Sequence, residues 1–194
     1  MKLLSTRWIV TLALLSVSAF SGFAQSSDNT TATVKPADTR PRVVQEIEST
    51  WKRAKKWTLD YIDAMPADAL SFKPKPEVRS FAEQMLHLAF WNYGLVEFTG
   101  GKANPYGKEE KNLESRQDLQ TKEALRKTVE ASYDNVIAAV GTLDEAKLLE
   151  AVPFFKTKLT RFTALSVALD HQTHHRGQTT VYLRLKGITP PPEP

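Results

Sequence analysis

The sequence predicts an all-α protein, a four-helix bundle, and three observations predict it. Four long segments carry apolar residues at three- and four-residue steps. Residues that start or stop helices punctuate them, and strand signals are nearly absent. Four amphipathic segments with three connections bury their stripes most simply against one another.

The first helix opens at Pro41, and its stripe is Val44, Ile47, Trp51, Ala54, Thr58, Tyr61, Ile62 and Met65. Glu48, Lys52 and Lys56 fall on the opposite face, with Lys55 beside them, as a solvated charged surface. Pro66 ends the helix. Phe72-Lys73-Pro74-Lys75-Pro76 holds two prolines in three residues and reads as an extended connection. Ser80 with Glu83 three residues on forms a capping box for a second helix over about Phe81–Phe98. That helix is nearly all apolar, which predicts burial on most of its surface, and Gly100-Gly101 stops it. Residues 100–120 are polar and form the longest loop, a type that often carries function. Thr121 caps the third helix, striped by Leu125, Val129, Ser132, Tyr133, Val136, Ile137 and Val140 and ended by Gly141. One short helix fits residues 144–151. Pro153-Phe154-Phe155 then leads into the last long helix, about 160–186, with Gly187 as its C′ residue and Pro190 beyond.

The first residues are set apart. Lys2 and Arg7 give a basic start, Ile9–Phe20 is an apolar run, and Gly22-Phe23-Ala24 supplies small residues for cleavage before Gln25. Residues 1–24 therefore read as a secretory signal, 25–41 as a polar disordered spacer, and 42–190 as the globular domain. The protein is expected to be exported, periplasmic or secreted, with no membrane association after cleavage. Losing Lys2 and Arg7 with the signal takes the formal charge from +4 to +2. A charge of +2 is no nucleic-acid footprint. The absence of cysteine excludes disulfides and a catalytic thiolate, and any metal must be held by His, carboxylate or water.

Of four histidines, three lie in Asp170-His171-Gln172-Thr173-His174-His175-Arg176-Gly177-Gln178. His171 and His175 are spaced i, i+4, so a helix places both rings on one face, about 6 Å apart along the axis. His174 at i, i+3 from His171 is an alternative partner. The fourth histidine, His87, sits in the most apolar helix. Bundles commonly build metal sites from facing helices, and three His with one open position is the catalytic zinc pattern. Taken alone, His87 reads as a buried histidine with a satisfied ring nitrogen. His171-Gln172-Thr173-His174-His175 also has the H-E-x-x-H metalloprotease spacing. Gln172 stands where the general-base Glu must be, and an amide cannot accept that proton, which sets that activity aside. Trp91 reads as core, Asn92 and Asp170 as partners for a ligand's second ring nitrogen, and Gly177 as a point of close helix approach. Arg176 and Gln178 have structural or ligand-orienting roles open to them.

His171-x-x-x-His175-Arg176-Gly177-Gln178 with Gly187-Ile188-Thr189-Pro190-Pro191, and Phe72-Lys73-Pro74 leading to Val78-Arg79-Ser80-Phe81-Ala82-Glu83-Gln84 and Leu86-His87-Leu88, resemble the DinB/YfiT-like superfamily over about residues 42–192. The resemblance implies an up-down-down-up four-helix bundle, often a homodimer. It implies a divalent transition metal (Zn, Ni or Fe) on His87, His171 and His175. Active members resemble thiol-dependent S-transferases, an isomerase or hydrolases. The expected function is that of an exported metal-dependent hydrolase or transferase of a small-molecule substrate. The alternative is a non-catalytic metal-binding module connected with stress or metal handling. Thiol cofactors belong mainly to the cytoplasm, so export weighs against S-transfer.

Protein recovered from native cells should begin at Gln25, checked by N-terminal sequencing of the exported fraction. An intact Met1 in the cytosol would refute export and bring the thiol transferase back.

Overall fold

The computed structural model describes residues 38–99, 102, 104–107 and 112–192. The expected signal, residues 1–24, lies outside them. Four long helices dominate: α1 (Arg42–Ala64), α2 (Phe81–Thr99), α3 (Lys122–Val140) and α5 (Arg161–Leu185), with a short α4 (Glu145–Leu149) before α5. Among the described residues no helix is long and apolar enough to cross a membrane.

Cross-helix contacts fix the directions. Thr58 meets Tyr133, and Asp63 meets Arg126, so α3 runs antiparallel to α1. Gln84 meets Gln178, and Trp91 meets His171, so α2 runs antiparallel to α5. Trp57 meets Arg176, and Tyr61 meets Thr180, so α1 and α5 are parallel. The bundle is therefore up-down-down-up, and α2 packs against both α3 and α5.

The core is built from the expected stripes. Trp51, Ile62, Met85, Leu88, Leu125 and Leu183 are fully buried, and Trp51 lies against Tyr133 at 5.9 Å between ring centroids. Among the described residues of α2, Phe81, Ala82, Met85, Leu86, Leu88 and Ala89 all reach zero exposure. A helix covered by two long neighbours can spare little surface for polar residues. Two buried polar side chains of the core are paired across helices: Tyr133 Oη donates to Gln172 Oε1 at 3.2 Å, and Gln172 Nε2 donates to the Leu88 carbonyl at 3.4 Å.

Helix punctuation follows the sequence. Glu83 N donates to Ser80 Oγ at 3.1 Å, and Ser80 N donates to Glu83 Oε2 at 2.7 Å, closing the capping box. Ala124 N donates to Thr121 Oγ1. At the end of α5, Gly187 takes φ +74° and Ile188 N donates to Leu183 O at 2.9 Å, the six-to-one bond of a Schellman cap.

Three expectations are corrected. The lead into α5 is not irregular: Ala151–Phe154 (β1) pairs antiparallel with Thr157–Thr160 (β2) across a two-residue turn. Each strand is an edge, which is why Pro153 is tolerated in a ladder. Glu48 is not on a solvated face but buried, bound by Arg40 and Lys52. Arg40, in the segment read as spacer, is thereby tied to α1 and also binds Asp38. A Cβ on Gly177 would meet nothing within 4 Å, so that glycine serves no close helix approach.

Ser80→Ala removes one bond of the capping box and should cost about 0.5–2 kcal/mol. Chemical denaturation of wild type and variant with equal m-values would measure it. No change in midpoint would show that the cap is not limiting.

Candidate metal centre

The three expected histidines converge. His87 on α2 faces His171 and His175 on α5, with ring centroids 5.3 and 4.6 Å away, and the α5 pair is 4.4 Å apart. One nitrogen from each ring lies within 4.8 Å of the other two. A tetrahedral ion at about 2.0–2.1 Å from each nitrogen needs separations near 3.3 Å, so a small inward shift of the rings would complete the set. The helical repeat explains the α5 pair: residues four apart stack on one face. His174, one position away, is exposed and bonds Gln178 at 2.7 Å; its ring stands 5.1 Å from His175, but it is not one of the three that converge.

His175 and His87 are each held by a side chain at Nδ1. His175 Nδ1 lies 2.7 Å from Gln84 Oε1, an acceptor, so the proton resides on Nδ1 and Nε2 keeps its lone pair. Gln84 is itself oriented, its Nε2 donating to Gln178 Oε1 at 2.6 Å. His87 Nδ1 lies 2.5 Å from Glu114 Oε1, and Arg79 Nε donates to the other oxygen at 2.7 Å. This carboxylate–histidine pair likewise directs the His87 lone pair to Nε2, which accepts the Trp91 Nε1–H at 3.1 Å. His171 Nδ1 is buried with no hydrogen-bond partner.

The electrostatics favour neutral rings. Burial first, then His87, His174 and Arg79, push His171 down to about 4. Burial first, then the neighbouring histidines and Arg79, push His175 down to about 3. Burial also lowers His87, against the opposing pull of Glu114. Three neutral imidazoles suit a divalent transition metal, and His87 joins such a set once its Nε2 gives up the Trp91 N–H.

Other expectations fare differently. Asn92 turns to α3, donating to Ser132 Oγ at 3.0 Å, and Asp170 lies exposed, so neither orients a histidine. Trp91 is not simply core: it touches His87 and His171 and forms a cavity wall. Arg176 is buried over the Trp57 ring, a structural position, and Gln178 reaches the site only through Gln84. Gln172, at 1 % exposure, is bonded into the core. Glu114 was not singled out, because nothing in the long polar loop separates it from its acidic neighbours. Gln84 could have been found, since Gln84, His87 and Trp91 at i, i+3 and i+7 share a helix face.

A three-histidine cluster between the second and last helices of an up-down-down-up bundle defines a class, and sequence comparison names it. The chain belongs to the DinB family, whose model matches residues 35–193. Among solved structures, a DinB-like protein from Bacillus cereus ATCC 10987 is 19% identical, with a TM-score of 0.66 over 76% of this chain and 95% of that one. A DinB-like protein from Bacillus subtilis is 24% identical, with a TM-score of 0.60 over 76% and 96%. YfiT from Bacillus subtilis, described as a probable metal-dependent hydrolase with an unusual four-helix bundle topology, is 15% identical, with a TM-score of 0.59 over 80% and 95%. These likenesses concern the fold. None of the curated proteins matches the chain.

The depressed histidines make a pH prediction for metal-free protein. Below their ordinary pKa of 6.5 the unfolded rings bind protons that the folded rings refuse until about 4 and about 3. Stability is therefore full above pH 6.5 and falls as the pH drops through this window. Melting temperature should decline from neutral pH to about pH 5, and His175→Leu should flatten the decline. An unchanged slope in the variant would contradict the neutral-ring assignment.

Proposed function

We propose that this DinB-family chain is an exported metal-dependent hydrolase of small molecules, with His87, His171 and His175 holding the ion. The observation that carries the reading is the convergence of three imidazoles, one with an unpartnered buried nitrogen. Three protein donors leave a position open, the arrangement of catalytic sites and not of closed structural ones. A bound Zn, Ni or Fe ion would supply Lewis acidity and a lowered pKa for its water. The chain's own residues do the positioning. Glu114 keeps the His87 proton on Nδ1, and Gln84 does the same for His175. Both oxygens of Glu114 are engaged, by His87 and Arg79, which suits an orienting role better than that of a free base.

Export rests on the basic start, the apolar run and the small-residue cleavage site. It favours hydrolysis over transfer to a low-molecular-weight thiol, which is chiefly a cytoplasmic cosubstrate. The mature charge of +2 gives no support for a nucleic-acid partner. The description of YfiT as a probable metal-dependent hydrolase supports the same class.

Metal analysis and circular dichroism on variants test the assignment. His171→Ala should lose tightly bound metal with helicity nearly unchanged. The core buries many large apolar side chains at roughly 1.5–3 kcal/mol each, whereas the ion adds stability only through preferential binding to the native state. His174→Ala should keep both metal and helicity. Metal lost from His174→Ala and retained in His171→Ala would sink the triad. Outright unfolding of His171→Ala would make the ion structural. A panel of esters and amides, with and without chelator, then separates a hydrolase from a non-catalytic metal-binding module: the hydrolase reading fails if chelation changes no turnover.

A further inference from the structure

Beside the histidines lies a cavity of about 270 Å³, walled by Trp91, Leu95, Phe154, Phe155, Val167 and Ala168 together with His171 and Gln172. Three elements meet there: α2, α5 and the tip of the β1–β2 hairpin. At that size the cavity is slightly smaller than the roughly 300–1,000 Å³ usual for whole small-molecule ligands. It suits part of a molecule. No acid or base other than His171 lines it, so a charged arm would enter without a counter-charge, at the cost of its hydration.

The hairpin tip shows the cavity to be built. Phe155 occupies the first turn position with φ +53°. Tight hairpin turns place Gly, Asn or Asp where φ is positive, and a bulky residue there is strained. The side chain gains no burial in return, being 67 % exposed. What the conformation achieves is a contact: the Phe155 ring sits 5.5 Å from the Trp91 ring and 5.0 Å from Phe154. Trp91 in turn donates its indole N–H to His87 Nε2 and lies 5.3 Å from His171. The aromatic wall thus reaches the histidine cluster through Trp91, and the strained tip carries a ring that lines the cavity.

We propose that this cavity is the subsite for a single aromatic ring or short branched apolar arm of the substrate, whose hydrolysable group then lies beside His171. The substrate class is an arylalkyl or branched-acyl ester or amide. This rests on the hydrolase reading, and the test keeps the two apart.

Acetohydroxamate and phenylacetohydroxamate are titrated calorimetrically into zinc-loaded protein. Both carry the same metal-chelating head, and one carries a ring. The ring should tighten binding by roughly tenfold or more, the low end of what burying a phenyl group yields. Phe155→Ala should lower that preference by about two- to tenfold, the range of an aromatic pair, and leave acetohydroxamate unaffected. Val167→Glu, at the 40 % exposed mouth residue, should abolish it. Equal affinity for the two probes overturns the subsite, as does a preference that survives both variants. If neither hydroxamate binds, the metal-dependent reading falls, and the cavity is judged on metal-free protein alone. Benzyl alcohol should then shift the Trp91 indole N–H resonance, assigned by its loss in Trp91→Phe. An unmoved resonance overturns the subsite too.

Discussion

The antiparallel packing of α2 on α5 in a single register is the constraint on which the site depends. His87 has no metal partner on its own helix, and His171 and His175 have only each other. Sliding α5 by one turn, about 5.4 Å, would leave His87 opposite only one of the pair, with Ala168 or Thr179 in place of the other. Register is fixed at both ends of the contact. Toward the start of α2, Gln84 bonds His175 and Gln178. Further along, Gln172 reaches the Leu88 carbonyl from a site with 1 % exposure. A slip would leave these amides buried without partners, a penalty of about 1–3 kcal/mol for each group. The same glutamine that fixes register also fixes a histidine tautomer, so fold and donor set are specified together.

The second layer of the centre comes from residues outside the three-histidine set. Gln84, Glu114 and Trp91 decide which nitrogen of His87 and His175 carries a proton. Desolvation by the surrounding apolar packing then keeps the rings uncharged. A solvent-exposed trio of histidines would repel itself once protonated near neutral pH. Burial removes that difficulty.

Much of this could be read from the residues. Periodicity and caps placed all four long helices, because α1 and α3 each present one stripe and the capping residues Ser80, Thr121 and Gly187 act locally. The histidine cluster was legible because i, i+4 spacing converts directly into a shared face. Other features were not legible because they depend on distant neighbours. Glu48 looked exposed since its position on the helical wheel says nothing of Arg40 folding back on it. The hairpin was missed because its strands are four residues long, one holds a proline, and Phe155-Lys156 lacks the usual turn residues. Glu114 could be found only from three dimensions, since the loop that carries it has no period.

That loop is a product of topology. Because α2 and α3 run the same way, the chain leaving α2 has to recover the length of a 19-residue helix, roughly 28 Å, before α3 can begin. A bundle with simple up-and-down connections would need only a tight turn at this point and would have no long return segment to carry a carboxylate to the site. Here the return brings Glu114 against His87 and Arg79. The nitrogen donors are thus written into rigid helices that can hardly vary, while the carboxylate arrives on the part of the chain freest to change length and sequence. The bundle has separated what must be invariant for binding from what can be exchanged to retune reactivity, and a fold with an awkward connection gains from it an adjustable component.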